Sequence, residues 1–163
     1  MEDLTELLKI EPSTKHKKCK KGDILQVAGS SMSSIFYVKK GLLRSYTIDD
    51  KGKEHIFMFA TESWMIADIE SQEFNQPAKL FIDCIEDSEI ITFDRKLFKK
   101  MDLSKDRLNK NNTMLLRRVA VLQRRVIMLM SSSAKERYEF FLETYPELPN
   151  RVPQRMIASY LGI

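Results

Sequence analysis

The sequence predicts an α+β fold. An antiparallel β-roll of jelly-roll type comes first, a long dimerisation helix second, and the opening of a small helical domain third. Three observations predict it. Up to about residue 94, short apolar runs alternate with turn residues. Gly22, Gly29, Gly41 and Gly52, four of the five glycines, fall in those turns, where tight hairpins need positive φ. From there to Gly162 no glycine occurs and helix formers dominate. Within that second part Leu108, Leu115, Leu122 and Leu129 recur every seventh residue.

The apolar runs place strands at 24–27, 34–39, 42–48, 54–60, 64–67, 79–85 and 88–93. Turns fall at Gly22-Asp23, Gly29-Ser30, Gly41, residues 49–52 and Gln76-Pro77. Many short strands at regular spacing make a roll or barrel. The basic run 15–21 holds five lysines and a histidine. It and the group Arg117, Arg118, Arg124 and Arg125 read as solvated charged faces.

A helix is predicted over 104–130. Leucine occupies the d positions of its heptads (Leu108, Leu115, Leu122, Leu129), and Asn112, Val119 and Val126 the a positions. Leucine at d with β-branched residues at a favours a parallel two-stranded coiled coil, and a single asparagine at a fixes its register. The sequence therefore predicts a homodimer.

Ser133, with Glu136 three residues on, forms a capping box for a helix running to Thr144. Pro146 and Pro149 break the chain, and a last helix starts near Val152-Pro153. Small Ala158 followed by Leu161-Gly162-Ile163 reads as the first helix and turn of a helix-turn-helix. The groove-reading helix is expected beyond Ile163, so the winged domain is expected to be cut short. Arg151, Gln154 and Arg155, at the start of that last helix, are candidates for DNA-backbone contact. The expected domains are 1–103, 104–130 and 131–163.

Composition narrows the function. The chain has 163 residues, 43% of them hydrophobic, and a net charge of +4, a mildly basic balance compatible with nucleic acid. No apolar run approaches the roughly 20 residues needed to cross a bilayer. The opening MEDLTELLKI carries acids and lacks a basic n-region. A cytoplasmic protein without a membrane partner is expected. Cys19 and Cys84 stand far apart and read as buried free thiols, not as a disulfide framework or metal site. His16 and His55 are the only histidines, and neither lies in a nucleophile motif. Asp49-Asp50 and Asp83, Glu86 and Asp87 read as turn acids. No phosphate loop is present. The reading is a non-enzyme with no cofactor.

Several stretches then line up in order. They are Lys21-Gly22-Asp23, residues 35–44 (IFYVKKGLLR), 52–55 (GKEH), 64–71 (WMIADIES), 133–138 (SAKERY) and 157–163 (IASYLGI). Together they resemble the CRP/FNR transcription regulators, within which the chain is similar to the Bacteroidetes-type branch. The resemblance implies a dimeric DNA-binding regulator in which a roll of the cyclic-nucleotide-binding type senses an effector. Nucleotide-binding members carry Gly-Glu-Leu, then an Arg-Ser or Arg-Thr pair about ten residues on. There the glutamate binds the ribose and the arginine the cyclic phosphate. Here those elements read Ala67-Asp68-Ile69 and Ala78-Lys79. The cation's position is an alanine, and a phosphate buried without its cation is costly. The resemblance thus implies a degenerate pocket, with any small-molecule effector other than cyclic AMP. The alternative is a dimeric roll, sensing a ligand or contacting proteins, that does not bind DNA specifically.

Overall fold

A computed structural model describes residues 14–31, 33–93 and 105–163. The expected helix start at Ser104 and the opening MEDLTELLKI lie outside these described residues. The chain divides into two compact units, Met1–Lys100 and Met101–Ile163.

The first unit contains β1 Lys15–Cys19, β2 Ile24–Gln26, β3 Ile35–Lys40, β4 Leu43–Ile48, β5 Glu54–Ala60, β6 Met65–Ile66, α1 Ile69–Phe74, β7 Phe81–Cys84 and β8 Ser88–Phe93. The strands form two sheets, ordered β1-β8-β3-β6 and β2-β7-β4-β5, and every pairing is antiparallel. The chain crosses from one sheet to the other between β3 and β4, at Gly41. A Cβ there would lie 2.2 Å from Ser88 Oγ, and φ is +101°, so only glycine fits. Apolar side chains fill the interior, among them Phe36, Val38, Leu43, Ile66, Ile82 and Ile90.

Two elements depart from the sequence reading. The basic run is not merely a charged surface. It forms the edge strand β1, paired to β8 from Lys15↔Thr92 to Cys19↔Ser88. Its Lys15–Lys18 side chains are exposed as expected, and edge lysines discourage further strand pairing. The helix α1 was not expected.

Asp83 is also corrected: it is no turn acid but a buried strand residue. Arg44 on β4 sits opposite it. The guanidinium donates Nε to Asp83 Oδ1 at 2.8 Å and Nη2 to Oδ2 at 2.9 Å, and Nη1 to Glu54. It lies 4.1 Å over the ring of Tyr46, which stacks on Phe81 at 5.3 Å. Burial opposes the Arg44 charge, but the hydrogen bonds to Asp83 and Glu54 more than offset this and raise its pKa. Asp49 does behave as a turn acid. Its Oδ1 accepts from the amides of Lys51 and Lys53, and its Oδ2 pairs with His55 Nε2 at 2.8 Å.

The second unit contains α2 Lys105–Ser131, α3 Ala134–Thr144, a 3-10 turn Leu148–Asn150 and α4 Gln154–Leu161. The capping box is present: Glu136 N donates to Ser133 Oγ, and Ser133 N donates to Glu136 Oε2. Phe141, Leu148, Val152, Ile157 and Leu161 form the buried centre. The ring of Phe141 meets those of Tyr145 and Tyr160 at 5.5 and 5.7 Å. Arg137 ties the start of α3 to the end of α4 by donating to the carbonyls of Ser132 and Leu161. Arg125 corrects the reading of a solvated basic group. It is half-buried, stacks 4.0 Å over Tyr160 and donates Nη2 to the Tyr160 carbonyl at 2.9 Å. Among the described residues no helix is long and apolar enough to cross a membrane.

Candidate functional site

The pocket element begins where β6 ends. Asp68 is the N-cap of α1, in extended backbone, a position that favours a side-chain acceptor for the first amides of a helix. Its carboxylate is 3% exposed. Oδ1 accepts from Ser71 N at 3.2 Å, and Oδ2 from Lys79 N at 2.6 Å and Leu80 N at 3.0 Å. One carboxylate thus binds the start of α1 to the segment returning into β7. The acid that the resemblance sets against a ribose-binding glutamate accepts from three backbone amides.

Ala78, which the sequence resemblance sets against the phosphate-binding arginine, is buried. Its amide donates to the Ser30 carbonyl at 2.9 Å and its carbonyl accepts from Gly29 N at 2.6 Å. The pairing explains why β7 starts at Phe81 and not at residue 79: residues 78–80 bond to the Gly29-Ser30 turn and to Asp68. Lys79 points to solvent, its Nζ held by both oxygens of Glu70 at 2.8 and 2.9 Å. Ala67 is half-buried and Ile69 exposed. None of the five candidate positions turns a cation inward. Sequence reasoning missed Gln26, which donates Nε2 to the Leu80 carbonyl at 2.9 Å. Its Oε1 and the Ser45 hydroxyl are buried without a hydrogen-bond partner, on either side of Ile82 in the β2-β7-β4 register. A polar residue at a strand position otherwise lined by apolar neighbours was the available signal.

Asp68 therefore acts on stability. Changing it to alanine leaves three amides without their acceptor, which costs about 2–4 kcal/mol. Lys79→Ala, losing an exposed ion pair, costs at most about 1 kcal/mol. Denaturant midpoints of the two variants separate the roles, and equal midpoints would remove the structural role of Asp68.

The second feature is the surface of α2. Leu115, Val119, Leu122 and Val126 are each at least 40% exposed, and Asn112 is exposed with them. Leu129 differs. It is half-buried and lies beside Gly162, whose Cβ would fall 3.4 Å from Leu129 Cδ2. The side chain of Leu108 lies outside the described residues. Met114, Leu116, Val121 and Ile127 widen the apolar surface beyond a narrow seam. On α4, Gln154 and Arg155 are exposed in the first turn, while Arg151 is half-buried at the end of the 3-10 turn.

Residues 16–104, more than half of the chain, match the family model for the cyclic nucleotide-binding domain. The chain belongs to the cyclic nucleotide-binding domain family. The fold is shared with CRP/FNR-type regulators of known structure. One is a transcriptional regulator of the CRP/FNR family from Eubacterium rectale, at 20% identity and TM-score 0.69, covering 98% of this chain and 76% of that one. Another is the c-di-GMP-responsive global regulator CLP of Xanthomonas campestris, at 12% identity and TM-score 0.74, covering 98% and 83%. The catabolite activator protein of Thermus thermophilus matches at 14% identity and TM-score 0.54, over 77% of this chain. The alignment spans 54% of that protein's length. No curated protein matches the chain significantly.

Proposed function

We propose that this chain acts as a homodimeric transcription regulator of CRP/FNR type whose roll does not take a cyclic nucleotide. The observation that carries this reading is the state of the pocket element. The Asp68 carboxylate is spent on three amides, Ala78 on backbone pairing, and Lys79 on Glu70. A cyclic phosphate placed there meets no inward cation, and burying it costs several kcal/mol. The division of labour we assign is 1–103 for sensing, 104–130 for dimerisation and 131–163 for DNA. A second reading, a dimeric module that works through protein contacts, is favoured by the breadth of exposed apolar surface on α2.

Binding to DNA separates the two. Arg151, Gln154 and Arg155 near the N-terminus of α4 can meet phosphate, which orients a protein on DNA but carries little base information. These 163 residues should bind duplex DNA weakly, with affinity falling steeply as salt rises and little preference between sequences. Fluorescence anisotropy with labelled duplexes over a salt series measures this. No binding even at low salt favours the protein-contact reading. Nanomolar, sequence-selective binding would show that the base-reading element lies elsewhere in these residues.

A further inference from the structure

We propose that Cys19 and Cys84 form a modification site, a latent intrachain disulfide that staples the two sheets of the roll together. Cys19 is the last residue of β1 in one sheet and Cys84 the last of β7 in the other. Both are buried free thiols in the same apolar cluster. The backbone of Cys84 is fixed against the turn that leaves Cys19: its carbonyl accepts from Gly22 N at 2.7 Å, and its amide donates to the Asp23 carbonyl at 3.0 Å. The two side chains are thereby brought into one buried cluster, and each thiol influences the ionisation of the other. Spacing in the sequence, 65 positions, hides this contact.

The surroundings select the oxidant. Burial raises the pKa of both thiols, that of Cys84 to about 12, so both stay protonated at neutral pH and react slowly. Their burial, at 3% and 2% exposed, excludes a bulky charged disulfide, so the oxidant we assign is a small uncharged hydroperoxide. Cys19, at the end of the edge strand β1, is the first to react; burial raises its pKa and Lys17 partly offsets this. Its sulfur takes one oxygen from hydrogen peroxide, giving a sulfenic acid and a water. The Cys84 sulfur then attacks that sulfur and the S–O bond breaks. The leaving oxygen departs as a second water, with the Cys84 proton. Two thiols are oxidised, one peroxide is reduced, and no other reactant is needed. The bond closes a loop around most of the roll, which constrains the unfolded chain and raises stability.

The test treats the reduced full chain with hydrogen peroxide and, in parallel, with glutathione disulfide. After alkylation, intact mass and a peptide map are read, with thermal midpoints before and after dithiothreitol. The expected result with peroxide is joint loss of both thiols, a mass lower by two hydrogens and a Cys19–Cys84 linked peptide. The midpoint rises by several degrees and returns on reduction, and glutathione disulfide leaves both thiols free. In Cys84→Ser the remaining Cys19 yields a sulfenic acid trapped by dimedone; the linkage map of the unmutated chain stands even if that variant does not fold. Added oxygen on one cysteine with the other still free would overturn the proposal. So would a link between two chains, or survival of both thiols in the folded, peroxide-treated protein.

Discussion

Replacing Leu115 and Leu122 together by aspartate is expected to turn the proposed homodimer into a monomer. Both side chains stand exposed on one chain, in line with Val119 and Val126, and a surface stripe of that size marks an interaction face. At d positions of a two-stranded coil each leucine packs into a hole formed by the facing helix. The double change places four carboxylates in the seam of a dimer, two from each chain. Burying unpaired charge costs several kcal/mol, and at about 1.4 kcal/mol per tenfold change in Kd the dimer falls apart at micromolar concentration. Because these positions are exposed within one chain, the monomer keeps its fold. Ala120→Asp, exposed and well off the seam, leaves the dimer intact. Size-exclusion chromatography with light scattering reads the mass directly. A dimeric double variant would mean that α2 is not the assembly surface.

Replacing Arg44 by methionine destabilises the roll by about 3–5 kcal/mol, the cost of leaving a buried partner charge uncompensated. Asp83, with its side chain 11% exposed, is then a carboxylate with neither water nor cation. The stacked Tyr46 loses the cation on its face as well. For a domain of this size the thermal midpoint falls by about 12 °C or more. Glu54→Gln is milder, at most about 1 kcal/mol, because that carboxylate is 43% exposed. The double change Arg44→Met/Asp83→Leu recovers much of the loss, since a well-packed apolar pair replaces a buried ion pair at little cost. Denaturant unfolding of the three variants checks the set. A loss under about 1 kcal/mol for Arg44→Met would contradict the account of this network.

What could be read from sequence was what repeats locally. Glycines at turns closely delimited the four strands expected at 24–27, 34–39, 42–48 and 54–60, and the uninterrupted heptads placed α2 within a residue of its observed end at Ser131. Ser133 and Glu136 announced α3 because a capping box is complete within four residues. What escaped depends on contacts distant in sequence. The run 15–18 has no polar–apolar alternation, so pairing with β8 alone makes it a strand. The six residues of α1 are too few for a helical period to stand out, and the partners of Asp68 are amides up to twelve positions away. Arg44 and Asp83 are 39 positions apart, and nothing near either one signals the pair. Arg125 looked solvated because its partner, Tyr160, belongs to another helix. The three amides that donate to Asp68 were not legible, since two of them come from Lys79 and Leu80, on the segment that returns into β7.

Isothermal titration of the purified protein with cyclic AMP and cyclic GMP tests whether the roll takes a cyclic nucleotide. The Asp68 carboxylate held by three amides, the buried Ala78 and the outward Lys79 predict no saturable heat with either nucleotide at physiological concentration. Saturable binding tighter than about 10 μM, roughly −7 kcal/mol, would contradict it.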